Sequence, residues 1–549
     1  MTPPPLPALN PRRHDLDALR AVAMLLGIAL HAALSFAPIP WTVQDSRQSG
    51  GFWLFFSAIH GFRMPLFFLL SGFFTAMLWR RRGLGELLRQ RCKRVLLPCL
   101  LGLVTIVPVQ MIISARAVES SYQRSLQAAA DSLWSAAKQG DLAAVRRFLA
   151  SDVGINQTDK KLGTTSLTLA AAAGHVEAVK LLIEQNAEVN ARNADGGTAL
   201  HAAAFFGQVE TAELLLAQGA DALARNSAGT TPLESMQVDW GITQIIAKFL
   251  GIQINRAAVQ RGRAKLTTRL QSLAAEQGVT IKPAAVNWVA LLMFVPVFHH
   301  LWFLWFLCWL VAGFAVFAKV ADWLRWRGPP HWLVLSPARY LWLIPITLVP
   351  QAFMGLAAPG FGPDTSVGIL PMPQVLLYYA LFFGFGVLYH DCEDTTGRLG
   401  RRWWLALPVA LLVIYPLGLE FSFGVSGLRE KLARPELRRP ISSALQVLYA
   451  WLMTFAMMGL FRRLLRRENR AIRYLSDAAY WLYLAHLPLV IACQWLVRDW
   501  PMPALVKFSA ICLVSCALLL LSYQWCVRYT WLGRLLNGPR ERCRATAPS

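Results

Sequence analysis

Residues 52–78 read FWLFFSAIHGFRMPLFFLLSGFFTAML, with His60 and Arg63 as the only ionisable groups. A bilayer core takes about 20 consecutive apolar residues to cross as a helix. The segment exceeds that length, and its backbone groups can be satisfied in lipid only by closing on themselves in a helix. Its reading therefore decides the class of the molecule: a helical membrane protein whose second span carries a histidine and an arginine one turn apart on one face.

Working outward, similar apolar runs occupy 17–38, 95–113, 301–322, 340–358, 374–390, 404–420, 441–461, 476–497 and 503–527. With 52–78 these make ten expected spans. Basic clusters alternate between them, at 79–94, 323–339, 391–403 and 462–475, whereas 39–51, 359–373 and 498–502 are almost free of Lys and Arg. By the positive-inside rule the basic segments and both termini are expected in the cytoplasm. One outer loop breaks the alternation: 421–440 holds Arg429, Lys431, Arg434, Arg438 and Arg439. The stretch Ala284 to Phe298 is apolar but short, and is expected as an interfacial or re-entrant helix. No A-x-A-like cleavage site follows the Pro-rich N-terminus, so no cleavable signal is expected.

The composition agrees. Of 549 residues, 55% are hydrophobic and only 15% charged, too few charges for a soluble surface. The formal net charge of +23 sits in short arginine runs beside spans rather than in a soluble patch, which argues against nucleic acid as a partner. The nine cysteines show neither a disulfide framework nor metal-ligand spacing, and no metal site is expected.

Between the third and fourth spans the pattern changes. GTTSLTLAAAAGHVEAVKLLIEQNAEVNARNAD begins at Gly163, GGTALHAAAFFGQVETAELLLAQGADALARNSA at Gly196, and GTTPLESM at Gly229. A period near 33 is the ankyrin length. Small residues from His201 to Phe205 form a first helix that lets neighbours stack, Gly207 ends it, and Val209 to Leu216 forms the second. His175 and His201 fall at structural positions. The basic stretch Asn255 to Gln277 is expected as a solvated linker helix. The fold class is then all-α, a polytopic membrane bundle of about ten transmembrane helices with an inserted ankyrin solenoid. Its domains are 1–114 (membrane, three spans), 125–262 (ankyrin), 263–300 (linker and interfacial helix) and 301–549 (membrane, seven spans).

Ionisable residues inside spans are costly and mark function by default. Arg20 and His31 are eleven positions apart, which places them on one helix face about 16 Å apart along the axis. Arg20 lies at the cytoplasmic mouth with Arg91 and Arg94. His31 lies deeper, at a depth shared with His60, Arg63, His300 and His486. A cationic inner mouth suits a phosphorylated cytosolic donor, and a buried imidazole suits a general base.

The Arg20-to-His31 spacing, HGFRMPLFFLLSGFF from His60, the RxxR of Arg91 and Arg94 followed by Pro98, HLWFL from His300 and SDAAYWLYLAHLPL from Ser476 together resemble the acyltransferase-3 family of bacterial inner-membrane enzymes, in particular a branch that succinylates periplasmic glucans. The resemblance spans nearly all of the chain except the ankyrin insert. It implies an acyl-CoA co-substrate (succinyl-CoA or acetyl-CoA) with no bound cofactor, a sugar hydroxyl of a periplasmic glucan or envelope polysaccharide as acceptor, and His31 as the essential residue. Arg20, Arg91 and Arg94 are then expected near the donor. His60, Arg63, His300 and His486 are expected at the acceptor or acyl-group site, with Arg63 holding a succinyl carboxylate or an oxyanion. The family has a shorter periplasmic loop where this chain carries repeats, which are expected to face the periplasm and to offer a surface to a protein partner. Besides the acceptor and donor, membrane lipid is an expected partner. Two rival readings are a secondary transporter of an anionic solute, for which two related halves are missing, and an ankyrin-bearing scaffold, which would need far fewer spans.

Overall fold

The computed structural model describes residues 13–39, 41–127, 132–151, 153–159, 163–238, 240–278, 288–326, 328–356, 360–465 and 469–538. They form two compact units, Met1–Ala117 with Trp288–Ser549, and Val118–Asn287. Both are helical; among the described residues the sole β-bridge joins Thr158 and Thr165.

In the first unit α1 is His14–Ala33, α2 is Gly50–Arg91 and α3 is Leu97–Gln127. After the second unit come α4 (His299–Trp323), α5 (Arg339–Ala352), α6 (Pro373–Asp391), α7 (Trp403–Phe423), α8 (Pro435–Leu464), α9 (Arg470–Val497) and α10 (Ala504–Val527). Seven helical stretches among the described residues are long and apolar enough to cross a membrane. One of them, Gly50–Ser121, runs for 72 residues and carries two of the expected spans. Gly83 breaks it with φ of 77°, ending the second span where the sequence turns to arginine.

The expected spans 340–358 and 374–390 depart from that pattern. The first forms α5, only 14 residues long, with prolines at 345 and 350; each proline removes a ladder hydrogen bond. The second forms α6, 19 residues with polar residues at both ends. It lies against α2 rather than standing alone. The close approach rests on Gly72 and Gly386: a Cβ on either would strike the carbonyl of Phe383 or Leu69 on the facing helix, the small-residue packing that membrane helices use.

α1 packs between α9, α2, α8 and α10, and with α8 it is among the most buried of the spans. Trp451 on α8 anchors the neighbouring layer, stacking on Phe382 at 3.9 Å and donating to Thr347 Oγ1 at 3.1 Å. Of the expected interfacial segment, residues 284–287 lie outside the described residues. The rest folds as a seven-residue helix, Trp288–Phe294, tied to the chain before α6 by bonds from Val297 and Phe298 to the Val367 carbonyl.

The second unit stacks helix pairs Leu133–Gln139/Leu142–Leu149, Ser166–Ala173/Val176–Glu184 and Ala199–Phe205/Val209–Ala217, followed by Pro232–Ser235 and Trp240–Leu250. His201 joins successive repeats. Its Nδ1 accepts from the Thr198 amide at 3.2 Å, and its Nε2 donates to the Thr230 carbonyl at 3.1 Å. Arg256–Glu276 is not a solvated linker. Leu266 and Leu270 are buried in the repeat core, Gly262 lies against the Gly207 carbonyl, and Arg263 donates to the carbonyls of Phe205 and Val238. A helix that closes the end of a solenoid buries the apolar face its last repeat would leave open.

Candidate active site

The site forms where α1, α2, α4 and α9 meet. His31 sits on the last turn of α1. Its ring lies 5.2 Å from that of His486 on α9 and 6.0 Å from that of Trp41, centroid to centroid. His300, at the start of α4, completes the group, with its ring edge-on to His486 at 5.7 Å.

Local sequence explains how the three imidazoles are held. Pro488 has no N–H, so the carbonyl four residues earlier, that of Leu484, loses its helical partner. His300 Nε2 takes it at 3.0 Å, and Nδ1 lies 2.9 Å from Gln110 Oε1. Tyr483 donates its hydroxyl to the His300 carbonyl at 2.6 Å. Both nitrogens of His300 are therefore engaged, and it fixes α9 rather than offering a base. His486 donates Nδ1–H to the Tyr483 carbonyl at 2.8 Å, which leaves the lone pair on Nε2. The end of α1 is held by Gln494, whose amide nitrogen donates to the carbonyls of His31 at 2.8 Å and Ala32 at 3.2 Å. Its oxygen accepts from Trp41 Nε1 at 3.0 Å.

Arg63 enters from α2. Its Nη1 lies so close to Gly27, one turn before His31, that a Cβ there would collide with it. Its charge lies within electrostatic reach of the Tyr379 and Tyr483 hydroxyls, and Arg63, His60, His300 and His486 all lie within electrostatic reach of His31. Three buried polar atoms in this small volume have no hydrogen-bond partner among the described residues: His31 Nδ1, His486 Nε2 and Arg63 Nε. Such atoms are rare in folded interiors, and each orphan costs about 1–3 kcal/mol. Their convergence makes this the candidate place for a ligand's polar atoms.

His60 stands apart from that group. Its ring stacks on Phe56 and its Nε2 donates to the Pro363 carbonyl at 3.1 Å, so it ties α2 to the chain before α6.

At the other end of α1 the three expected arginines do come together. Arg91 lies within electrostatic reach of both Arg20 and Arg94. Arg20 donates to Ser476 Oγ at 2.9 Å and lies over the Phe74 ring. Arg91, donating to Thr75 Oγ1 at 2.8 Å, keeps a buried Nε unpartnered. The backbone of Arg94 is held by the Tyr480 hydroxyl on its carbonyl at 2.7 Å. Because Tyr480, Tyr483 and His486 share α9, one helix positions both ends of the site.

Sequence reasoning missed Gln110, Gln494 and Trp41. The two glutamines had a readable signal, since an uncharged amide inside an apolar span also needs a partner. No such signal marks Trp41, which lies in a loop and reaches the site only through the fold.

No group of His, Cys, Asp and Glu among the described residues could hold a metal.

A family model described as an acyltransferase domain matches residues 13–138 and 274–524, and one described as ankyrin repeats (3 copies) matches 133–226. Proteins named Glucans biosynthesis protein C from Salmonella paratyphi B, Salmonella heidelberg and Salmonella dublin are each 38% identical over 103 residues, covering 19% of this chain and 27% of theirs. The chain thus spans about a quarter of the length of these curated relatives. The acyltransferase match takes in His31, both arginine groups, His300 and His486 and covers well over half of the sequence, so the chain belongs to the acyltransferase-3 family of multi-pass membrane proteins.

Proposed function

We propose that the chain is a membrane O-acyltransferase that moves an acyl group, succinyl or acetyl, from a cytoplasmic acyl-CoA to a hydroxyl of a periplasmic glucan or related envelope polysaccharide. The observation that carries the reading is the convergence of unpartnered His31 Nδ1, His486 Nε2 and Arg63 Nε at one end of α1, with Arg20, Arg91 and Arg94 clustered at the other. A cationic cluster suits the phosphates of the donor.

In this mechanism the acceptor hydroxyl gives its proton to a ring nitrogen of His31 as its oxygen attacks the thioester carbonyl. The tetrahedral oxyanion forms beside the Arg63 guanidinium, a fixed positive charge in a site of low dielectric. Collapse breaks the C–S bond, the ester remains on the acceptor, and the thiolate leaves with the proton from His31 as free thiol. For a succinyl donor, Arg63 can instead pair with the free carboxylate. His486, with Nδ1–H fixed on a carbonyl, presents a second acceptor nitrogen beside His31.

The proposed placement is the bacterial inner membrane, with both termini cytoplasmic and the repeats periplasmic. Ile113 and Ala117 of α3 pack against Trp41, Val43 and Leu487, so α3 leaves its span at the His31 end of α1. The repeats then offer a periplasmic surface to a protein partner. Purified protein given acyl-CoA tests the reaction. Release of free thiol that depends on added glucan supports it; release independent of any acceptor, or none at all, counts against it.

A further inference from the structure

The outer loop that breaks the charge alternation has a structural use. Three of its five basic residues, Arg429, Arg438 and Arg439, line a cavity of about 250 Å³ together with Gln351 and Gln446. Arg439 donates to the backbone carbonyls of Ala352 and Met354, which are neutral. Arg429 and Arg438 share a single carboxylate, Glu430, at 2.8 and 4.0 Å. Among the described residues no acidic side chain lines the cavity, and the two carboxylates behind its wall, Glu420 and Asp364, are held on the backbone amides of Arg429 and Gly355, so the lining itself keeps an excess of positive charge.

The rest of the wall is polar and rigid. Gln446 accepts from the Gly362 amide at 2.9 Å and from Gln351 Nε2 at 3.1 Å. Its own nitrogen donates to the Gly360 carbonyl and Ser442 Oγ at 3.2 and 3.1 Å. Gln351 is 3% exposed, and its Oε1 has no partner among the described residues. That orphan accepts hydrogen bonds and cannot be satisfied by a bare anion, while the guanidiniums call for one.

One wall leads towards His31. Gly362, with φ of +110°, lies against His60, where a Cβ would sit 2.9 Å from Cδ2. His60 is one turn from Arg63, and Arg63 touches α1 at Gly27.

We propose that this cavity is an acceptor subsite for an anionic polyol, a saccharide segment that carries a carboxylate or phosphate beside free hydroxyls. The inference rests on the acyltransferase reading and deepens it, adding charge as the feature by which the acceptor is chosen. Arginines facing outward are anomalous as membrane anchors and are accounted for as ligand contacts.

The test is binding by the full-length protein in phosphatidylcholine nanodiscs, with cellobionate and its neutral counterpart cellobiose as probes. Cellobionate is expected to bind at least tenfold more tightly at low salt, with the difference shrinking as salt rises. Arg438→Gln should reduce the preference, and Arg438→Gln with Arg439→Gln should abolish it, while Arg439→Lys keeps it. Thermal unfolding of each variant checks folding, and Arg438→Gln, which spares the Arg439 contacts with Ala352 and Met354, keeps the test open if the double variant does not fold. Equal affinities for the two probes, no binding of either, or a preference untouched by Arg438→Gln in folded protein would overturn the proposal. So would loss of cellobionate binding when phosphatidylglycerol replaces the lipid, since the cavity would then hold a lipid headgroup. His31→Ala is expected to leave binding unchanged, so a failure of the catalytic reading and a failure of the subsite are seen separately.

Discussion

Replacing Gly27 by alanine adds one methyl group and separates catalysis from folding. Gly27 lies inside α1, one turn before His31, and the added Cβ would overlap Arg63 Nη1, with Cζ next at 3.4 Å. The overlap falls on the far end of a flexible side chain, so the guanidinium yields rather than the backbone, by a displacement on the order of 1 Å. A misplacement of about 1 Å in a catalytic group can cost about 100-fold in rate, or about 2.7 kcal/mol of barrier. Stability should move the other way, because alanine in a helix interior is favoured over glycine by about 0.5–1 kcal/mol. The assay is thiol release from acyl-CoA with saturating acceptor, alongside thermal unfolding in detergent. Gly27→Ala should unfold no earlier than the parent and lose kcat by about two orders of magnitude. A variant with parental kcat would refute the placement of Arg63 in the reaction.

Further outcomes follow from the same contacts. His300→Leu leaves the Leu484 carbonyl freed by Pro488 without its donor; a buried orphan costs about 1–3 kcal/mol, so an earlier thermal midpoint should accompany reduced turnover. Gln494→Leu removes the bridge from Trp41 to the His31 and Ala32 carbonyls and should lower kcat about tenfold or more by the same energy, with little change in donor KM. Arg91→Gln or Arg94→Gln should raise the KM for acyl-CoA about tenfold or more if each makes a charge-assisted contact of about 1.5–3 kcal/mol, an effect that steady-state titration of the donor would detect. In the repeats, burial holds the His201 pKa below the ordinary histidine value despite its bond to the Thr230 carbonyl. The unfolded chain then binds the extra proton as pH falls through about 6.5, so repeat stability is full above that pH and declines below it. Hydrogen exchange of the repeat helices in the full chain between pH 8 and 5 should show it, with His201→Gln flattening the dependence.

Much of the fold was legible because spans and repeats are written in composition and period. The ankyrin helices begin and end where Thr198, Gly207 and their counterparts predict. Arg20 and His31 were visible as one face of one helix. The site itself was only half legible. Periodicity shows which face a residue occupies, but not which carbonyl it meets. His60 and Arg63 share a face, yet His60 turns to Pro363 while Arg63 reaches Gly27. His300 looked like a site histidine and is spent on a proline's freed carbonyl. The helix Arg256–Glu276 reads as solvated from its charges, but the buried stripe of Val259, Leu266, Leu270 and Ala274 carries the packing. The shortness of α5 was signalled by Pro345 and Pro350, but an apolar window alone does not register a missing N–H.

In the proposed reaction His31 drives transfer of an acyl group onto an envelope glucan. The most direct measurement is the mass of periplasmic glucans from cells making the intact chain beside cells making His31→Ala at equal protein level. An added mass per glucan with the intact chain alone, about 100 Da for succinyl or 42 Da for acetyl from simple ester formation, is the predicted result. The same added mass in both strains, or in neither, would contradict it.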